Sequence, residues 1–472
     1  MKLITSEIKD KLIHIVGSEN YQDSAASKLA YSYDATPQYQ SMPAAIVAPR
    51  NKQEITAIVQ LCNEHVIPIV PRGSGTNLCA GTCPTEGGIV LLFKHLNRML
   101  EIDEDNLTIT VQPGVITQEI IQAAEAKGLF YPPDPSSMKI STIGGNINEN
   151  SGGLRGLKYG VTKDYVLGLE VVLPNGDIMR TGGKLAKDVA GYDFTHLLVG
   201  SEGTLGIITE AILKLVPMPA SKKTMLALYQ DMEAAAASVS EIIRQQMIPV
   251  TMEFLDQPTL QVVEDYAQIG LPTDVEAVLL IEQDGPNEIV EQDIKKMAAI
   301  CEQKQAVSVR IAESAEEADK LRTARRSALS ALARLHPTTI LEDATVPRSA
   351  IAPMVKAINH IAEKYEVTIC TFGHAGDGNL HPTCLTDSRN QEEMERVEQA
   401  FEEIFMKAVE LGGTITGEHG VGMMKAPYLH LKLGKTGIEA MRAVKQALDP
   451  NQIMNPGKIF ANDMRKRVVM NK

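Results

Sequence analysis

The segment Gly373-His374-Ala375-Gly376-Asp377-Gly378-Asn379-Leu380-His381 places two imidazoles around an Asp-Gly pair. Asp-Gly is a preferred centre of a two-residue type I′ hairpin. With Asp377 and Gly378 as that turn, His374 pairs with His381. Both rings then stand on one face of the ribbon, their Cβ atoms about 5 Å apart. Two nitrogens so placed can bind one divalent ion. On its own the pair reads equally well as two residues capping a turn. A second motif, Gly417-Glu418-His419-Gly420, supplies the missing carboxylate beside another histidine. Two His and one Glu leave open coordination positions for a substrate. His419, with an unperturbed pKa near ~6.5, can accept a proton at neutral pH. Glu418 and His419 are adjacent, so an extended backbone would point them to opposite sides. Both reach one site only if the chain bends, which the flanking glycines permit.

Three glycine-rich stretches suggest phosphate chemistry. Pro71-Arg72-Gly73-Ser74-Gly75-Thr76-Asn77 follows a buried strand directly. Its glycines let the backbone turn tightly and aim several N–H groups at one point, as in a pyrophosphate-binding nest. It is neither a Walker loop nor a dinucleotide fingerprint, since Leu78 stands where a third glycine is due. Thr142-Ile143-Gly144-Gly145-Asn146 and Gly200-Ser201-Glu202-Gly203-Thr204-Leu205-Gly206 read as two further glycine loops. Together the three can line a long, narrow cofactor slot. A cation for an anionic substrate is available in Arg322, Arg325 and Arg326, early in a helix expected over about 313–335. A guanidinium fork suits a planar carboxylate. Helical spacing puts Arg322 beside the other two and does not choose among them.

The elements around these residues fall into three stretches. Residues 43–127 alternate short β-rich runs with helical patterns, predicting mixed α/β layers. Residues 128–163, rich in Gly, Pro, Asn and Ser, predict a long functional loop. LGLEVVLPNGDIMR predicts a hairpin about Asn-Gly. After residue 220 two β-α-β units of similar size predict a split-βαβ sheet with helices on one side. The expectation is an α+β protein. A two-part domain of mixed α/β layers spans 1–219, a ferredoxin-like substrate or cap domain spans 220–415, and a C-terminal helical segment, 416–472, returns to the first domain.

Bulk properties exclude several classes. A chain of 472 residues exceeds one core. A net charge of −13, no tryptophan and 4% aromatic residues argue against a nucleic-acid partner. No stretch approaches the ~20 apolar residues of a membrane helix, and MKLITSEIKDKLIHIVG reads as an amphipathic helix rather than a signal peptide. The six cysteines contain no CxxC pair, so a zinc ribbon or self-contained iron–sulfur cluster is not expected. Reduced thiols and a cytoplasmic location fit best. The weakly basic tail 463–469 offers a docking point for a partner or a membrane.

PRGSGTNLCAG, PPDPSS, TIGGNINENSGG, GSEGTLGIIT and the terminal NPGK resemble the FAD domain of the vanillyl-alcohol oxidase / p-cresol methylhydroxylase superfamily. The resemblance covers nearly the whole chain. It is strongest to the group of glycolate oxidase D-subunits, D-lactate dehydrogenases and D-2-hydroxyglutarate dehydrogenases. It implies FAD held by Pro71, Arg72, Gly73, Ser74, Gly75, Thr76 and Asn77, with Pro133, Asp134, Ser137, Thr142, Gly144, Gly145, Asn146 and Gly152 around the rest. Glu202, Gly203, Thr204, Gly206, Ile207 and Asn455 complete that set. The Gly loop has no histidine, so non-covalent FAD is expected, with Cys79 the one residue that could alter this. The resemblance also implies His374, His381 and Glu418 as ligands of one divalent ion (Zn, Mn or Fe), His419 as base and Arg325 as carboxylate anchor. The implied reaction is oxidation of D-lactate or glycolate to the 2-oxo acid, with the C2 hydride passing to flavin N5. A 2-hydroxy acid can chelate a cation through its carboxylate and hydroxyl, and the cation then acidifies the hydroxyl. Enzymes of this group that use 2-hydroxyglutarate are expected to supply a lysine after the long helix. Thr339-Ile340-Leu341-Glu342-Asp343 has none, and only Arg334 and His336 lie nearby, which favours a monocarboxylate. Electrons must leave to an iron–sulfur subunit, an electron-transfer flavoprotein or a quinone. The alternatives are a D-2-hydroxyglutarate-type dehydrogenase, a metal-independent FAD alcohol oxidase, and an electron-relay subunit of the same fold.

Overall fold

The computed structural model describes residues 4–36, 38–84, 88–268 and 270–460. The basic tail 463–469 lies outside them. Strands Ala45–Val47, Ile89–Leu92 and Ile69–Arg72 form a parallel core sheet, joined antiparallel by Tyr21–Gln22. Ala45–Val47 and Ile89–Leu92 are short, continuously apolar runs, as strands covered on both faces must be, and Ile69–Arg72 is apolar up to Arg72. Helices Ser6–Val16 and Lys52–His65 cover them through Leu12, Val16, Ile55, Ile58 and Val59. A second sheet is antiparallel throughout, in the order Met99–Asp103, Thr108–Val111, Ile207–Lys214, Val166–Val172, Ile178–Gly182. Its last two strands are the expected hairpin.

The expected long loop at 128–163 is only partly irregular. Ile143–Glu149 is a helix, so TIGGNINEN is a helix start rather than a glycine loop. The sequence hides it because Gly144 and Gly145 are poor helix formers. Packing overrides the propensity: a Cβ on Gly144 would lie 2.6 Å from Pro113 Cβ. Only glycine lets the helix come that close.

The third sheet carries the site. Its strands run Ser308–Ile311, Ser221–Tyr229, Ala277–Gly285, Thr251–Asp256, Thr368–His374, Asn379–Thr386, Thr338–Leu341, and Ala344–Thr345 also pairs with Asn379–Thr386. The first four are the two β-α-β units, laid out in the split-βαβ order. The later hairpin extends that sheet past the edge where the four-strand unit would end. Helices do not lie on one side only. Met232–Arg244, Asn287–Gln303, Ile351–Tyr365 and Gln391–Glu410 pack on one face. Gln257–Ala267 and Ala328–Leu332 pack on the other through Leu260, Val263, Ala328, Ala331 and Leu332. The run Val278-Leu279-Leu280-Ile281, buried throughout, is apolar toward both faces and requires both covers. The helix expected over 313–335 is two pieces, Ala315–Arg326 and Ala328–Leu332.

The C-terminal segment returns to the first sheet. Ile69 N–H donates to Ile453 O (2.7 Å), Asn455 N–H donates to Ile69 O (2.8 Å), and Met454 bridges Ile69 in parallel. Among the described residues no helix is long and apolar enough to cross a membrane.

Candidate active site

The hairpin Thr368–His374 / Asn379–Thr386 pairs in a register that differs from the two-residue turn. His374 lies opposite Asn379, and His381 lies opposite Phe372. The loop is four residues, 375–378. Gly376 N–H donates to Met252 O (3.1 Å) and Gly378 N–H to His374 O (3.0 Å), which ties the loop to the neighbouring strand. Gly378 has φ +87°, and a Cβ there would lie 2.0 Å from Val346 O, so only glycine fits. The register is offset by two residues from the expectation, and an even offset keeps every side chain on its face. His374 and His381 are therefore diagonal neighbours on one face, with ring centroids 5.1 Å apart.

Glu418 meets them. Its Oε1 lies 3.2 Å from Nε2 of His374 and 3.2 Å from Nε2 of His381. The bend required at Glu418-His419 is made by a single buried carboxylate. Asp343 Oδ2 accepts the backbone N–H groups of Gly417 (2.6 Å), Glu418 (2.7 Å) and His419 (3.2 Å). Three successive N–H groups converging on one oxygen curl the chain, so both side chains face the site. Farther along, Glu202 accepts Val421 N–H and Gly422 N–H, both at 2.7 Å, pinning the loop from the other side. His419 stacks on His381, rings 5.2 Å apart and 10° from parallel. Its Nδ1 lies 3.5 Å from Asp343 Oδ1.

The electrostatics follow from burial. Burial would push the Glu418 carboxyl up, but His374 and His381 hold it well below the usual carboxylate range. Burial pulls the His374 imidazole down, and Glu253 and Glu418 more than reverse this. His419 is pulled down to about 4 by burial, with Asp343 opposing and Lys425 and His381 adding to the fall. It is a neutral imidazole at physiological pH, able to accept a proton.

Of the three arginines, the structure brings Arg325 and Arg326 to the cleft, with Arg325 buried beside the histidines. Arg325 is buried, and its guanidinium sits 4.8 Å from the Phe372 ring. Arg322 is engaged with Glu282 at 2.6 Å. Arg326 is half-exposed, its nearest acid Asp134 at 3.9 Å. Arg334, the expected substitute for a second cation, stacks on Tyr266 instead.

Arg325, Arg326, Phe372, His374, His381, Glu418 and His419 together line part of a cleft of about 690 Å³. Arg72, Gly73, Ser74, Gly75, Thr76, Asn77, Ser137, Thr142, Gly145, Asn146 and Gly152 line the rest of it. Pro71, Gly144, Glu202, Gly203, Gly206, Ile207 and Asn455 line an adjoining smaller cavity. Pro133, Asp134 and Thr204 line neither. Asp134 is turned to Arg155, accepting its N–H at 3.1 Å. Thr204 Oγ1 donates to Ser201 O (2.7 Å), and its carbonyl accepts from Lys445 (2.7 Å). Both belong to the scaffold. The Glu202 carboxylate likewise serves the 417–422 loop. Cys79 does not line the cleft; its thiol donates to His419 O at 3.0 Å.

The residues present fit FAD and a cation. The cleft has the size of a cofactor site. A Cβ at Gly145 would find only Thr142 Oγ1, at 3.5 Å, and would otherwise project into it. Asn455 Nδ2 donates to Glu202 O (2.6 Å) and Gly81 O (3.0 Å), leaving its buried Oδ1 without a partner among the described residues. For the cation, His374 Nδ1 is held 2.7 Å from Glu253 Oε1. A carboxylate on the distal nitrogen of a histidine is the usual second partner of a metal ligand.

Three participants were not singled out from the sequence: Glu253, Asp343 and Phe372. Glu253 and Asp343 had a readable signal. Glu253 is the acidic residue within the apolar strand run VTMEFL, and Asp343 stands with Glu342 directly after the strand Thr338–Leu341; a buried carboxylate needs a partner. Phe372 had none.

A fold with this cleft, lined in part by a hairpin of a large antiparallel sheet, is that of the flavoprotein oxidases. The structure of p-cresol methylhydroxylase with substrate bound superposes with a TM-score of 0.81 at 18% identity, covering 96% of this chain and 97% of that one. Residues 43–182 match the family described as FAD binding domain, and residues 218–459 match FAD linked oxidases, C-terminal domain. The chain belongs to this FAD-linked oxidoreductase family. It is 73% identical over 467 residues to the glycolate oxidase subunit GlcD of Bacillus subtilis (strain 168), covering 99% of both chains. It is 35% identical over 463 residues to a D-lactate dehydrogenase of Anaerostipes hadrus, covering 96% of this chain and 95% of that one.

Proposed function

We propose that this enzyme oxidises a small D-2-hydroxy acid, D-lactate or glycolate, to the corresponding 2-oxo acid. One observation carries the reading: His374, His381 and Glu418 converge beside His419 and Arg325 in the cleft. When bound, FAD supplies the acceptor for the C2 hydride, and a divalent cation held by His374, His381 and Glu418 supplies a Lewis acid for the hydroxyl. Arg325 holds the substrate carboxylate. His419, neutral and stacked on His381, takes the hydroxyl proton. Phe372 keeps water from the Arg325 face. The relatives named as subunits of a glycolate oxidase support an electron acceptor outside the chain: an iron–sulfur subunit, an electron-transfer flavoprotein or a quinone.

The test is anaerobic bleaching of the bound flavin by a panel of D- and L-2-hydroxy acids. Rapid reduction by D-lactate or glycolate, and none by an aryl alcohol, is expected. Reduction by aryl alcohols alone overturns the reading. Arg326 at the cleft favours a second reading, a dicarboxylate such as D-2-hydroxyglutarate, which the same panel separates.

Two further results are expected. Removing divalent metal with a chelator slows flavin reduction by the hydroxy acid and leaves the FAD absorbance in place. Metal replacement restores the rate. Arg325→Lys keeps the charge but loses the fork, and KM rises by about tenfold with kcat less affected, as loss of a charge-assisted hydrogen bond implies.

A further inference from the structure

Glu253 lies on strand Thr251–Asp256, directly opposite His374 on the neighbouring antiparallel strand. Its side chain is fully buried. One oxygen, Oε1, stands 2.7 Å from His374 Nδ1. The other, Oε2, stands 2.7 Å from Arg325 Nε. The Arg325 N–H is not aimed along that line, so the second contact is an ion pair rather than a linear hydrogen bond. One carboxylate therefore touches both the cation-site histidine and the arginine at the carboxylate end of the cleft.

We propose that Glu253 is a positioning residue that couples the two halves of substrate recognition, setting the span between the cation site and the Arg325 guanidinium. This rests on the function proposed above. A 2-hydroxy acid presents its carboxylate and its hydroxyl at a fixed separation, so the two receiving groups must keep a fixed distance. Two independent anchors would let each drift. A single rigid carboxylate on a central strand does not, because a Glu side chain with both oxygens engaged has no rotamer freedom left. Phe372 supports the same geometry from below. Its ring lies 4.8 Å from the Arg325 guanidinium and 5.5 Å from the His381 ring.

The coupling has a signature that a purely structural role lacks. Glu253→Gln preserves volume and an acceptor for His374, and removes the charge that holds Arg325. In flavin-loaded protein, the affinity for Zn²⁺ or Mn²⁺, measured against a competing chelator, is expected to fall by about 10- to 100-fold. The affinity for oxalate, a non-oxidisable planar dianion, read from the flavin absorbance change, is expected to fall by about tenfold. In an Arg325→Lys background, the oxalate penalty of Glu253→Gln is expected to shrink to about twofold, since the group it positions is gone. Metal and oxalate constants both within about twofold of wild type overturn the proposal. So do oxalate penalties that multiply independently in the double variant. Wild-type protein that binds neither metal nor oxalate instead overturns the proposed function itself. A thermal melt and the flavin spectrum of each variant establish that the fold is intact.

Discussion

Replacing His419 by alanine lowers the rate of flavin reduction by D-lactate or glycolate by about 10²- to 10⁴-fold, the range that a positioned proton acceptor contributes. The surroundings make His419 the candidate acceptor. His419 is buried, and burial leaves it uncharged, its pKa pushed down to about 4. It stands against His381 and Glu418, where the hydroxyl proton would be released. Among the described residues, the other acid-base groups lining that end of the cleft are engaged: Glu418 with both histidines, and His374 with Glu253. FAD binding and metal content should not change, because His419 is not one of the cation-site residues and its carbonyl bond to Cys79 is made by the backbone. Stopped-flow reduction under anaerobic conditions measures the effect. A rate within about tenfold of wild type would place the proton acceptor elsewhere.

Replacing Asp343 by alanine destabilises the protein by about 3–5 kcal/mol, the range for stripping one partner from a buried ion pair. Asp343 is fully buried and forms a short ion pair with Lys425, itself fully buried. The same carboxylate accepts three backbone N–H groups of the loop that carries Glu418 and His419. Without it three amides lose their acceptor, and the Lys425 ammonium keeps only Glu342. Glu342, 3.0 Å from Lys425, is a weak replacement. Burial pushes its carboxyl up to about 7, with Lys425 opposing. Urea denaturation measures the loss. Asp343→Asn, which keeps an acceptor for the loop, should recover part of it. Pairing Asp343→Ala with Lys425→Met should recover more, because the orphaned charge is removed. Equal stability of wild type and Asp343→Ala would show that the loop's other contacts, to Glu202 and Cys79, suffice to hold it.

The placement of the candidate site residues was legible in the sequence where it depended on local spacing. His374 and His381 flank a turn, so any even register puts them on one face. The expected turn was wrong by two residues, and the face survived. Arg325, Arg322 and Arg326 show the opposite case. Their helical spacing could not rank them, because the ranking depends on which acids lie across the sheet: Glu253 for Arg325, Glu282 for Arg322. The TIGGNINEN segment differs from its expected loop for a related reason. Its glycines lower helix propensity, but they are what lets this helix pack against Pro113.

From residue order alone came the flavoprotein resemblance, the split-βαβ strand order, the paired imidazoles and the Glu-His motif that completes them. These are short-range patterns, and backbone geometry transmits them directly. Only the tertiary structure decided how Glu418 and His419 turn toward the same point, which arginines reach the cleft, and that Glu253 joins Arg325 to His374. Those outcomes rest on buried carboxylates far away in the chain. A buried charge must find partners wherever the fold brings them, and that choice is made by packing rather than by neighbours in sequence.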